Sequence, residues 1–66
     1  MSTETFTAKF IREGESQFGE YVQIEYNGIK AFLSRDKIER MKKQGDRITV
    51  TIPYGLYMSK FENGKL

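Results

Sequence analysis

Asn27-Gly28 stands between two runs in which apolar and polar residues alternate. A two-residue type I′ turn needs positive φ at both central positions, and Asn-Gly adopts it with little strain, so this pair is the strongest short signal for a β-hairpin. Residues 19–26 and 29–33 are therefore expected to be antiparallel strands. Alternation puts Val22, Ile24, Ile29, Ala31 and Leu33 on a core face, and Tyr21, Gln23, Lys30 and Phe32 on the opposite face.

The rest of the chain is read around that hairpin. Residues 5–11 alternate about Phe6, Ala8 and Phe10 and predict a first, half-buried strand. Residues 1–4 read as a disordered tail and residues 12–17 as a loop. Ser34 suits a helix N-cap, residues 35–43 have the composition of a short helix with Ile38 and Met41 on one side, and Gly45 suits the position after a helix end. Residues 46–52 alternate again through Ile48, Val50 and Ile52, giving a fourth strand that Pro53 ends or marks as an edge. Residues 54–61 are apolar enough for a fifth strand, and residues 62–64 look like a turn. The expectation is one mostly β domain over residues 5–66: a single five-stranded barrel with one short helix between the third and fourth strands. Closure of that kind removes the exposed edges that so short a sheet would otherwise present. An SH3-like barrel is the runner-up.

Composition narrows function more than fold. Sixty-six residues leave little room for a deep pocket. The absence of Cys and His removes thiolate zinc sites and the Ser-His-Asp and Cys-His forms of catalysis. No phosphate-cradling glycine run and no paired carboxylates are evident, so a binding protein is expected rather than an enzyme, with no cofactor and no metal. Residues 1–7 are polar and no apolar run approaches the ~20 residues that span a bilayer, so a cytoplasmic chain without a membrane partner is expected. The formal net charge is +2. Arg35, Lys37, Arg40, Lys42, Lys43 and Arg47, set against Asp36, Glu39 and Asp46, carry that excess. This is either a weak polyanion signal or a solvated helix face.

The outward face of the hairpin holds the candidate chemistry. Tyr21, Phe32, Lys30 and Gln23 come close together there, and Phe18 extends the patch. Exposed rings on a sheet are stacking platforms for unpaired bases, each worth ~1–3 kcal/mol on truncation. Lys30, Lys9 and Arg47 would then meet phosphates and Gln23 a base edge. The same rings also serve as cross-strand packing, at roughly 0.2–1 kcal/mol per pair, or as an interface hot spot. Two partners follow: single-stranded RNA or DNA, or a protein surface such as a ribosome or polymerase. In the second case the chain would be a small adaptor or inhibitor, of the kind that viruses of bacteria make to redirect host machinery. A monomer is expected, with a subunit contact in a larger particle as a third possibility.

Three segments carry a family resemblance. Phe18-Gly19-Glu20-Tyr21-Val22, Gly28-Ile29-Lys30-Ala31-Phe32-Leu33 and Gly45-Asp46-Arg47-Ile48-Thr49-Val50 resemble, in order and spacing, the RNA-binding OB domain first named for ribosomal protein S-one. The size, and Gly45-Asp46 followed by Pro53-Tyr54, are similar to the bacterial initiation-factor-one type of single-domain member. The resemblance covers roughly residues 5–54. It implies an OB-fold and an RNA-binding surface built on Phe18, Tyr21 and the strand bearing Phe32. It also implies a basic residue near the last hairpin, for which Lys60 is the counterpart. Ser34 stands where the family often has His, and Gly64-Lys65-Leu66 matches the step before its final strand.

Overall fold

The computed structural model describes residues 2–62. Five antiparallel strands form one sheet: β1 (Thr3–Ser16), β2 (Gly19–Tyr26), β3 (Ile29–Ser34), β4 (Arg40–Gln44) and β5 (Arg47–Pro53). Their order across the sheet is β3-β2-β1-β5-β4, so β3 and β4 are its edges and the sheet is not closed. A helix, α1 (Tyr54–Tyr57), follows β5 and runs on as π-helical turns over Met58–Glu62. No helix among the described residues is long and apolar enough to cross a membrane.

The fourteen residues of β1 organise everything else. Its first half pairs with β5, from Thr3↔Pro53 to Lys9↔Arg47, and its second half pairs with β2, from Lys9↔Glu25 to Ser16↔Gly19. The handover falls at Lys9, which is paired on both sides. A bulge between Phe10 and Arg12 leaves Ile11 out of register with β2, and such an extra residue bends and twists a strand. The two halves of the sheet thereby share one core. Phe6 and Ala8 of β1, Val22 and Ile24 of β2, Ala31 and Leu33 of β3, and Ile48, Val50 and Ile52 of β5 are all buried in it.

The helix completes that core. Tyr57 and Phe61 are four residues apart and therefore share one helix face, and both are buried. The Phe61 ring lies 5.3 Å from Phe6 and 5.4 Å from Tyr26, edge-on to both. Tyr57 keeps its polar tip satisfied by donating to Glu62 Oε2 at 3.3 Å. Hydrogen bonding with the Tyr26 side chain, followed by burial, pushes the Tyr57 pKa well above the ordinary tyrosine value.

All three hairpins close with two residues. Asn27 (φ 52°) and Gly28 (φ 78°) are both left-handed, as a type I′ turn demands. Gly45 (φ 63°) is left-handed while Asp46 is not, the pattern of a type II′ turn with Gly first. At the β1–β2 turn, Ser16 Oγ accepts from the Phe18 N–H at 3.1 Å and donates to the Gly19 carbonyl at 3.2 Å.

Several expectations are corrected here. Thr3 and Glu4 belong to β1, paired with Pro53 and Ile52, rather than to a tail. Residues 12–16 continue β1 instead of forming a loop. The helix expected over residues 35–43 is a single 3-10 turn at Arg35–Lys37, without a side-chain cap from Ser34, followed by strand β4. Pairing with β5 and the tight Gly45 turn override the local helical composition; the pairing extends to the Glu39 N–H, which donates to the Thr51 carbonyl at 2.8 Å. The expected fifth strand over residues 54–61 is helical, because the Tyr57 and Phe61 rings reach the core from one helix face. The short helix thus follows the last strand instead of lying between the third and fourth. Asn63 and Gly64 of the expected turn, and the Gly64-Lys65-Leu66 step, lie outside the described residues.

Candidate nucleic-acid interface

Strand register sorts the polar side chains onto the face opposite the core. On the β1–β2–β3 half, one row runs Gly14, Tyr21, Ser34 and the next Arg12, Gln23, Phe32. At the bend, Arg47, Lys9, Glu25 and Lys30 form a row across four strands. On the β1–β5–β4 half, the rows are Thr7, Thr49, Lys42 and Thr5, Thr51, Arg40.

Beside the first two rows lies a shallow groove of about 430 Å³, lined by Arg12, Phe18, Glu20, Tyr21, Phe32 and Ser34 among others. Tyr21 and Phe32 meet edge to face with centroids 5.3 Å apart. Such contacts contribute ~0.5–1.5 kcal/mol beyond the area they bury, so this pair holds its own geometry. The floor is Gly14. A Cβ there would sit 2.7 Å from Tyr21 Oη and 2.9 Å from Cζ; only the bare glycine lets the tyrosine ring cross it. Arg12 Nε donates to Gln23 Oε1 at 3.1 Å, which places the guanidinium beside the rings. Phe18 sits at the tip of the β1–β2 turn and is 85% exposed. An apolar ring held so far from the core adds nothing to packing, and the turn itself needs no aromatic.

Six of the eleven basic side chains, Lys9, Arg12, Lys30, Arg40, Lys42 and Arg47, fall on this outer face, against one of the nine acidic ones, Glu25. None of the six forms a salt bridge among the described residues; the ion pair found there is Arg35 with Glu13, at 3.4 Å. Glu13 and Glu15 of β1 and Glu20 of β2 cluster behind Tyr21, at the end of the hairpin.

Seven of the eight candidate residues thus share one face. Phe18, Tyr21 and Phe32 meet in the groove, Gln23 adjoins it through Arg12, and Lys30, Lys9 and Arg47 follow in the row at the bend. Lys60 does not join them; it lies on the helical segment Met58–Glu62. Sequence reasoning missed Arg12 and Gly14, because their segment reads as a loop. It counted Arg40 and Lys42 in a weak polyanion signal but put them on a helix rather than on this face, and it missed the four threonines. The alternation of Thr5 and Thr7 with apolar residues, matched by Thr49 and Thr51, was the available signal. No protein-family model, curated protein or solved structure matches this chain.

Proposed function

We propose that this chain binds single-stranded nucleic acid on the outer face of β1, β2 and β3, and is a binding module rather than an enzyme. The observation that carries the reading is the convergence of Phe18, Tyr21 and Phe32 in one groove beside Arg12 and Lys30. Rings there stack unpaired bases without regard to sequence, while the adjacent cations neutralise phosphates and make binding salt-dependent. RNA is favoured over DNA on the resemblance to the S-one type of OB domain. In that reading the sheet is a partly open OB-type barrel with β3 and β4 left unjoined; the groove is complete without closure.

Titration of labelled oligonucleotides tests this at low salt. Phe18→Ala and Tyr21→Ala each remove one platform and are expected to weaken binding about tenfold, the equivalent of ~1.4 kcal/mol. Phe18→Ala is the cleaner probe, because that ring supports nothing in the core. Binding by both variants at wild-type strength would overturn the reading. The second reading is a protein-binding adaptor docking on a ribosome or polymerase surface, favoured by the exposure of Phe18 at a hairpin tip, where interface anchors sit well. Partners retained on immobilised protein after nuclease treatment of a lysate, and lost with Phe18→Ala, would favour it.

A further inference from the structure

The groove accounts for the aromatic residues but leaves half of the outer face unused. On β1, β5 and β4 that half is a threonine lattice edged by cations. Thr5 Oγ1 and Thr51 Oγ1 are 2.8 Å apart, and Thr7 Oγ1 and Thr49 Oγ1 are 2.9 Å apart. A hydroxyl has one proton to donate, so each bonded pair spends one proton on itself and keeps one for a ligand. Arg40 and Lys42 flank the pairs on the edge strand, and Arg47 and Lys9 complete the next row. Every residue of β4 is exposed; no acidic side chain stands in the two threonine rows, and Glu25 is the one carboxylate in the row of Arg47 and Lys9.

We infer that this threonine and arginine-lysine face is a track for the phosphate backbone, continuing the groove across the bend to the β4 edge. The inference rests on the nucleic-acid reading above and names the path of the strand. Charge fixes the direction. At the hairpin end Glu13, Glu15 and Glu20 outnumber Arg35, which is paired with Glu13, so that end is net negative and unfavourable to phosphate. The way out is past Lys30, Lys9 and Arg47, three cations against the single carboxylate of Glu25, toward Lys42 and Arg40. Crossing from β3 to β4 takes four strand spacings of about 4.8 Å, roughly 19 Å in all, against molecular dimensions of 28 × 25 × 21 Å. The ligand is therefore a strand several nucleotides long, with bases stacked at one end and backbone held along the rest. Cation-lined surfaces also attract anionic lipid; the hydroxyl donors between the cations and the continuity with a stacking groove favour nucleic acid.

The test is the salt dependence of oligonucleotide binding. Each phosphate neutralised on a single strand contributes about −0.7 to the slope of log K against log salt. Contact at the groove through Arg12 and Lys30 alone gives a slope of about −1.4, whereas all six cations give about −4. The double variant Arg40→Gln with Lys42→Gln is expected to make the wild-type slope shallower by about 1.4 and to shorten the oligonucleotide at which affinity stops rising. Lys37→Gln with Lys43→Gln, an equal loss of charge off this face, is expected to leave the slope unchanged. A wild-type slope near −1.4 that the Arg40 and Lys42 variant does not alter would overturn the track and leave the groove standing. Equal slope changes in both double variants would overturn the track in favour of diffuse attraction. Failure of the wild-type chain to bind oligonucleotide at low salt, with or without binding to phosphatidylserine vesicles, would overturn the track and the nucleic-acid reading together.

Discussion

Gly14→Ala separates the groove from the stability of the domain. The added methyl would lie 2.7 Å from Tyr21 Oη, where ordinary van der Waals contact begins at 3.4 Å, so the tyrosine ring has to leave the strand surface. The atoms it meets are the far end of a side chain that is only partly buried, and the ring can swing outward without disturbing the core. The edge contact with Phe32, ~0.5–1.5 kcal/mol, is lost. Replacing glycine recovers ~0.4–1 kcal/mol by restricting the unfolded chain. Urea melts should therefore place the variant within roughly 1 kcal/mol of wild type. Binding should suffer far more. One displaced stacking platform costs ~1–3 kcal/mol, or roughly 5- to 150-fold in affinity. Fluorescence anisotropy with a labelled single strand measures the second quantity and circular dichroism in urea the first. Wild-type affinity in a variant whose Tyr21 ring resonances have moved would refute the assignment of bases to this groove.

Three further outcomes are expected. Phe61→Ala empties the fully buried position where the helix meets Phe6 and Tyr26; a loss of ~3–5 kcal/mol consumes much of the roughly 3–10 kcal/mol available to a chain of this length, so the variant should be largely unfolded by circular dichroism, and a loss below ~1 kcal/mol would show that the helix does not complete the core. Tyr57, whose pKa is raised in the fold above its ordinary 10.0, keeps a proton that the unfolded chain releases. Its contribution is therefore whole below pH 10 and falls as pH rises beyond it; urea midpoints across that range should decline in wild type and decline less in Tyr57→Phe. Thr5→Val with Thr7→Val removes neutral donors only, and should weaken oligonucleotide binding while leaving the salt slope unchanged.

The parts of the fold that were legible are those where one strand face is buried and the other is not. β2 and β3 alternate cleanly, and Asn27-Gly28 fixes their register, so the outward set of Tyr21, Gln23, Lys30 and Phe32 could be read from sequence alone. The end of β1 could not, because residues 12–16 bury nothing on either face and alternation has no burial to report. β4 is hidden for the same reason: all five residues are exposed, and its composition favours a helix until β5 supplies a partner. Residues 54–61 were misread because a short apolar run suits a strand and a buried helix equally. Only the four-residue spacing of Tyr57 and Phe61, directly after Pro53, separates the two. The site inherited these errors. A loop reading hides Arg12 and Gly14, and a helix reading puts the charges of Arg40 and Lys42 on the wrong element.

The most direct measurement is a backbone amide NMR titration of the labelled chain with short single-stranded RNA and DNA at low salt. The expected result is a contiguous set of shifted amides at Arg12, Phe18, Tyr21, Gln23 and Phe32, extending through Lys30, Lys9 and Arg47, with the helix around Phe61 unmoved and RNA producing the larger changes. Shifts confined to the helix, or no shifts with either nucleic acid, would contradict binding through the outer face of the sheet.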